Sequence, residues 1–469
     1  MEVDRGDEHR GEMRPLRALA LALASVGGAA VAEAGVADEA PAAAACAASA
    51  ECARAEGYGS VCADRRCTPY LDGRDLLEMI RLKKSRGVVE PFKLYPSIIP
   101  SIGYTPQNGV VVGVTTLAGI YLGDPRTTTI SSLGLVALYT SKHQVILMAR
   151  ENALLSENAW QLQGDYRLLL TNQPTYGLGS SSSPGGTETS VGGLGATTSV
   201  PGAQPMDFNL IRLHQTVLRR VAGSFYAGAS YRLDRYYGIE DQELDLAASP
   251  PAVTSHYAYS TQFGFSPKAY GASGIAAELL YDSRDSTISA YRGWYLSGSF
   301  RAFPTWLGSS KDATAVHGEV RTYVGLSDEV PRNVLAFWLM GAAVTSGHLP
   351  YLALPSIGWD YGNRSGRGYV QGRFRGDAEV YGEVEWRFRL TRDGFLGGTV
   401  FANASTFSRP AVSVPGFSQG REALFSSVRP AGGVGLRFMM NREARNAVTL
   451  DFAWGQDSFA VYFGAGEVF

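Results

Sequence analysis

The sequence predicts an all-β protein: a 16-stranded antiparallel transmembrane β-barrel with a short disulfide-tied N-terminal periplasmic segment. Three observations carry that prediction. In residues 379–390, Val380, Gly382, Val384, Trp386, Phe388 and Leu390 are apolar or small, and Tyr381, Glu383, Glu385, Arg387 and Arg389 alternate with them. A period of two sends the two sets to opposite faces of a strand, so charges line one face and apolar groups the other. That arrangement suits a wall with lipid outside and a polar lumen inside. Second, sixteen such segments can be marked, an even number as a closed antiparallel bacterial barrel requires. Third, loop length sorts by parity. The long connections, near 172–206, 237–272, 348–376 and 407–428, all follow odd-numbered strands, and those after the sixth, tenth and fourteenth are short. Outer-membrane barrels keep short periplasmic turns and long external loops in this way.

Residues 1–12 are charged and unpatterned; Met13-Arg-Pro-Leu-Arg17 is basic, and 18–32 is an Ala/Leu-rich apolar run. This reads as a secretory signal peptide within 1–34, starting at Met13 and cleaved after Ala32 or Ala34. The stretch ahead of it is then a mis-assigned start or an extended n-region. A membrane anchor is disfavoured because the run is too short and Ala-rich. The next segment, 35–92, holds all four cysteines, Cys46, Cys52, Cys62 and Cys67. An even, clustered set behind a signal peptide implies two disulfides in an oxidising compartment, with three pairings open. Zinc is the competing reading, disfavoured by the lack of a C-x-x-C pair and of a neighbouring His. Residues 72–86 read as a short amphipathic linker helix, with Leu76, Leu77 and Ile80 opposite Arg74, Arg81, Lys83 and Lys84.

The barrel is expected over 93–469, with strands at 98–106, 109–121, 128–140, 142–152, 158–171, 207–221, 224–236, 273–283, 293–304, 312–327, 333–347, 377–390, 395–406, 429–440, 446–455 and 459–469. The loop 176–205, rich in Gly, Ser, Thr and Pro, is a surface excursion, and Tyr176-Gly-Leu-Gly179 has no helix pattern after it to make a phosphate cradle. Asp282 and Asp285 invite a metal, but Arg284 between them argues for a charge-clamped periplasmic turn. The last strand puts Phe459, Val461, Phe463 and Phe469 on one face and leaves Glu467 at the periplasmic interface. Where the first strand meets the sixteenth, Pro96, Pro100 and Pro106 lack ladder donors and Gly464 and Gly466 weaken the opposite edge, so this seam is expected to be joined by few hydrogen bonds. A first strand that simply begins past Pro106 is the plainer alternative. Arg367, flanked by Gly366 and Gly368, can fold back into the lumen and pair with Glu383 or Glu385 through its fork of donors.

Three motifs in order carry a resemblance. Gly366-Arg-Gly-Tyr369 resembles the Arg-Gly-Phe/Tyr signature in the sixth external loop of the BamA/TamA superfamily of outer-membrane assembly and translocation barrels, also called bacterial surface antigens. Tyr281-Asp-Ser-Arg-Asp285 followed by Arg292-Gly293 resembles that family's turn, with Ala290-Tyr291 where a proline is usual, and 429–469 resembles its last three strands. The likeness is good over 270–469 and thin over 93–270. It implies that Arg367 is buried against an acidic residue, best matched by Glu385, and against a second position that here is Asn403. The clamp would then have one carboxylate fewer unless Glu383 compensates. It also implies a gate at the seam, and a terminal aromatic, Phe469, read by the assembly machinery. The family's periplasmic POTRA domains find no room in 35–92, so a POTRA-less member is expected.

Composition excludes other classes. A formal net charge of -2 leaves no electrostatic footprint for nucleic acid. Beyond the N-terminus no window approaches the ~18 apolar residues of a spanning helix. Six histidines, at 9, 143, 214, 256, 317 and 348, form no pair at metal spacing, and no G-x-S-x-G elbow occurs. No enzyme, no catalytic residue, no metal and no cofactor is expected. The resemblance implies insertion or translocation of protein or lipid at the outer membrane of a Gram-negative bacterium, with both termini periplasmic. Its expected partners are outer-membrane lipid including lipopolysaccharide, the cell's barrel-assembly machinery and a protein or lipid cargo. The rival is a passive pore or surface-exposed structural protein without transport activity.

Overall fold

Alternation becomes wall. The computed structural model describes residues 90–469 apart from 106–108, 182–185, 192–193, 199–201, 328–331, 362–363, 392–393 and 442–443, together with a short hairpin ahead of them, Ser60–Ala63 against Arg66–Pro69. The expected signal peptide, Cys46, Cys52, the helix at 72–86 and Pro106 lie outside the described residues. Cys62 and Cys67 are register partners in the short hairpin.

The wall strands are β1 (Leu94–Thr105), β2 (Gly109–Ile120), β3 (Ser131–Thr140), β4 (Val145–Leu155), β5 (Trp160–Asn172), β6 (Met206–Ala222), β7 (Phe225–Asp241), β8 (Ala269–Asp282), β9 (Gly293–Phe303), β10 (Ala313–Gly325), β11 (Val334–Gly347), β12 (Ala378–Arg389), β13 (Leu396–Ser408), β14 (Arg429–Asn441), β15 (Asn446–Gly455) and β16 (Ser458–Ala465). Each pairs antiparallel with the next. On β11, Phe337 and Leu339 are 41% and 53% exposed while Trp338 and Met340 are 2% and 3% exposed. On β12 the sense is the same: Glu379, Tyr381, Glu383, Glu385 and Arg387 are buried and Trp386 is exposed. Apolar groups outside and charges inside are the pattern of a membrane-type barrel, in which backbone groups are satisfied by neighbouring strands.

The strands depart from expectation mainly at their ends. β7 runs on to Asp241 because residues as far as Glu240 and Asp241 still find partners, Asp207 and Met206, in a hairpin that outgrows the wall. β1 begins at Leu94, so Pro96 and Pro100 lie inside it. Four residues apart, they remove donors from one edge only, which an edge strand tolerates. β16 stops at Ala465 instead of 469. Gly466, at φ 76°, turns the chain inward, and Phe469, expected on the outer face, is buried in the lumen against Trp338 and Tyr323.

β16 and β1 are neighbours in the sheet, yet among the described residues no register of paired residues joins them. The edge of β16 pairs instead, in parallel, with Gly186–Val191 from the long β5–β6 connection, from Ser458↔Gly186 to Phe463↔Val191. That segment turns back as Leu194–Thr198. The end carrying the long loops is roofed by an apolar cluster. It joins Leu178, Tyr259, Phe265, Leu349, Tyr351 and Leu352. Helix α1 (Ser255–Gln262) stands there, its N-terminus capped by Thr254, whose hydroxyl accepts from the Tyr257 amide at 3.2 Å.

If the outer face meets lipid, Leu339→Arg should cost about 2–4 kcal/mol in a bilayer, the range for a cation on the lipid face. Denaturant unfolding of the chain refolded into vesicles measures it. No loss would place Leu339 away from lipid.

Candidate functional site

The connection between β11 and β12 does not stay outside. Residues 355–376 form a tongue that pairs with itself through Ile357 N to Phe374 O (3.0 Å), Gly372 N to Ile357 O (2.9 Å) and Gly376 N to Pro355 O (3.0 Å). Its tip is set by Asp360, whose carboxylate accepts from the Ser365 amide (2.9 Å), the Ser365 hydroxyl (2.6 Å) and the Arg364 amide (3.1 Å). Gly366 and Gly368 stand at φ 77° and 105°, a region open to glycine. A Cβ at 366 would lie 2.1 Å from Ile357 Cγ1, and one at 368 would lie 2.8 Å from Ala431 Cβ. The two glycines thus let the backbone pass close to the wall and aim Arg367 inward.

Arg367 is 2% exposed. Its Nη1 donates to Asp451 Oδ2 at 2.9 Å, and its Nη2 donates to both Glu383 and Glu385. The guanidinium carbon lies 3.5 Å from the centre of the Phe401 ring, a favourable cation–π placement. Burial acts against its charge, but the three carboxylates prevail and hold its pKa well above the ordinary value. Asn403 is not a carboxylate substitute: its amide Nδ2 donates to the Arg367 carbonyl at 2.9 Å and so fixes the loop backbone. Glu383 does join the cation, and Asp451 supplies a third acid that the motif comparison had not singled out.

The cluster extends further. Arg437 binds Asp451, meets Glu385 at 3.7 Å and donates through Nε to Glu467 Oε2 at 2.7 Å. Arg387 donates to Glu385 at 2.8 Å and to the Phe469 carbonyl at 2.9 Å. Glu467, expected at an interface, is buried here. Desolvation raises its pKa, and Arg437 and Arg387 more than offset this, holding it below the usual carboxylate range. Arg364 donates to the carbonyls of Ala465 (2.5 Å), Gly466 (3.2 Å) and Glu467. Burial, with Arg150 nearby, lowers its pKa to about 10, so it stays charged at neutral pH. Tyr462 of β16 accepts from the Gly368 amide at 3.0 Å and donates to the Tyr369 carbonyl at 3.3 Å, while the Tyr369 hydroxyl donates to Pro430 O at 2.6 Å. The tongue is therefore bolted to β12, β14, β15 and β16.

The other motifs lie at the opposite mouth. Arg284 forks onto Asp282 at 2.9 and 2.8 Å. Asp285 accepts from the Tyr291 and Arg292 amides (2.9 and 3.3 Å) and pairs with Arg445 at 2.6 Å. Gly293 stands at φ 110°. Between these anchors Ser286 and 288–291 are buried, and half-buried Thr287 reaches across to the Ile130 carbonyl at 2.7 Å. Among the described residues no group of acidic, His or Cys side chains could hold a metal. Between tongue and turn lies a chamber of about 290 Å³. Its wall carries a chain of charges: Asp165 between Arg167 (2.5 Å) and Arg212 (3.6 Å), then Asp234 on Arg212 (2.5 Å) and His214 (3.2 Å).

No protein-family profile matches the chain, and no curated protein does. Among solved structures, BamA from Haemophilus ducreyi lacking POTRA domains 1–3 is similar at 15% identity and TM-score 0.45, covering 79% of this chain and 69% of that one. CdiB from Acinetobacter baumannii is similar at 13% identity and TM-score 0.44, covering 80% of this chain and 59% of that one.

Two outcomes are expected. Arg367→Gln leaves three carboxylates around a neutral amide, and removing one partner of a buried pair costs ~3–5 kcal/mol. Denaturant unfolding reads this; a loss of only about 0.5 kcal/mol, as for surface sites, would mean that the lumen solvates them. Glu467, with its folded pKa depressed, stabilises above the ordinary carboxyl value of about 4.3, and that contribution is lost as pH falls through the folded value. Glu467→Gln should lower the unfolding midpoint at pH 7, and the gap to wild type should close below about pH 4. A gap constant from neutral to acid pH would remove Glu467 from the network.

Proposed function

We propose that the chain is an outer-membrane barrel that acts in insertion or translocation of protein or lipid through its β1–β16 seam. The observation that carries this reading is the seam itself: the edge of β16 is paired with a segment of the chain's own loop, and among the described residues no register joins it to β1. Each backbone pair missing from a wall lowers the cost of parting it, so this is the line along which the barrel opens sideways into the bilayer. The tongue fills the other route. With Arg367 clamped across the lumen and the Asp282–Gly293 turn across the far mouth, axial flow is blocked, which counts against the passive pore.

In this reading the long loops face outside and both termini the periplasm, residues 1–34 direct export, and the four cysteines are oxidised there. Outer-membrane lipid surrounds the wall and the cell's assembly machinery inserts it. Refolded into vesicles, the chain should speed membrane insertion of an unfolded outer-membrane barrel. A Thr189→Cys/Val461→Cys disulfide, at register partners of the loop segment and β16, should abolish that gain. Equal activity in the cross-linked and reduced forms overturns the seam reading, and large steady conductance in a planar bilayer favours the pore.

A further inference from the structure

A second cavity, of about 240 Å³, lies inside the wall beside the seam, between the tongue, the turned-in tail and strands β2 to β4. Its chemistry is unlike the rest of the lumen. Barrel interiors are ordinarily polar, and β12 alone sends four charged groups inward, Glu379, Glu383, Glu385 and Arg387. Among the described residues β1 to β4 send one, Arg150. The cavity wall there presents the apolar side chains of Leu117, Val136, Met148 and Ile288 beside the uncharged Thr115, Ser132 and Thr287. The charge around it is not balanced either. Its bordering carboxylates, Asp451 and Glu467, are already bound by Arg367, Arg437 and Arg387. Arg364, which also borders it, donates to neutral carbonyls, and no ion pair holds it among the described residues.

We propose that this cavity binds an amphiphile with an anionic head group, the head at Arg364 with Arg150 alongside and the apolar part against Leu117, Val136 and Met148. A half-buried cation whose side chain is served, among the described residues, by carbonyl oxygens still carries a net charge, which an anion would neutralise. The apolar wall gives a hydrocarbon segment contacts that water cannot make. The volume is just below the ~300–1,000 Å³ of small-molecule sites, so it takes a head and the first stretch of a chain, the remainder extending through the seam toward the bilayer. The inference thus rests on the seam of the proposed function, but not on insertion activity.

The test titrates the refolded full chain, in dodecyl maltoside micelles, with dodecyl phosphate and separately with inorganic phosphate, by calorimetry. One dodecyl phosphate should bind per chain, and inorganic phosphate should bind roughly tenfold more weakly or not at all. Arg364→Gln at the head, and Val136→Asn and Met148→Gln at the wall, should each weaken dodecyl phosphate by roughly tenfold, with heat-modifiable mobility showing which variants fold. Inorganic phosphate binding as tightly, or folded variants binding as wild type does, overturns the site, as does no binding at all. The titration contains no client barrel, so an inactive chain that binds dodecyl phosphate fails only the functional reading, and an active chain that does not bind fails only this one.

Discussion

One guanidinium group holds the lumen together. A barrel of this width has charges facing inward from both sides and no core to bury them in, so each must be met by an opposite charge or by water. Arg367 meets three carboxylates at once, from β12 and β15. Only a planar, multi-donor cation on a glycine-flanked turn can do this from a loop. Arg387 and Arg437 share Glu385 with it, Arg437 also shares Asp451, and both reach Glu467. Three arginines and four carboxylates make a network in which removing one cation leaves several acids in mutual repulsion. That cooperativity, more than any one bond, keeps the tongue inside.

The same tongue decides how the wall is tied. Through Tyr462 and Arg364 it grips β16 and the tail beyond it, and nothing comparable reaches β1 among the described residues. Half of the seam is anchored to the plug, and the other half has, among the described residues, its one register of pairs with β2. Parting along it therefore moves β1, with its two internal prolines, while β16, the tongue and the charged network can stay together. A barrel that opened at β8–β9 would instead have to break a regular ladder and the Arg284–Asp282 clamp next to it.

Wall positions were legible in the sequence because period two is a direct consequence of pleating: of the inward set named on β12, Tyr381, Glu383, Glu385 and Arg387 are buried, and Arg389, at the strand's end, is half-buried. Ends were less legible. Nothing local in 459–469 distinguishes a strand that continues from one that turns inward, and the turn at Gly466 is selected by partners far away in sequence, Arg437, Arg387 and Trp338. The clamp was half legible. Glu383 and Glu385 lie on the strand that follows the motif, whereas Asp451 lies 84 residues beyond Arg367. Its signal was nonetheless present, as the only acidic group on the inward face of 446–455. A hairpin from the Gly/Ser/Thr-rich loop lying along β16 could not be read, since its composition marks flexibility and says nothing of a docking edge.

The lumen is therefore two environments rather than one. From β12 to β15 the inner wall is ionic and is consumed by the tongue; from β1 to β4 the described inward side chains mix apolar groups with uncharged polar ones such as Thr115 and Asn152, Arg150 is the single charge among them, and the tongue leaves a space against it. If the interior served only to hold a plug, the inward face of β1 to β4 would be expected to carry charges to meet the tongue, as β12 does. The apolar side chains there, Leu117, Val136 and Met148, offer no partner to a charge on the side of the lumen next to the seam. In the proposed reading, this cationic pocket behind the seam gives an amphipathic group a surface to rest on when the wall parts, directly beside the ionic cluster, whose Asp451 and Glu467 border it.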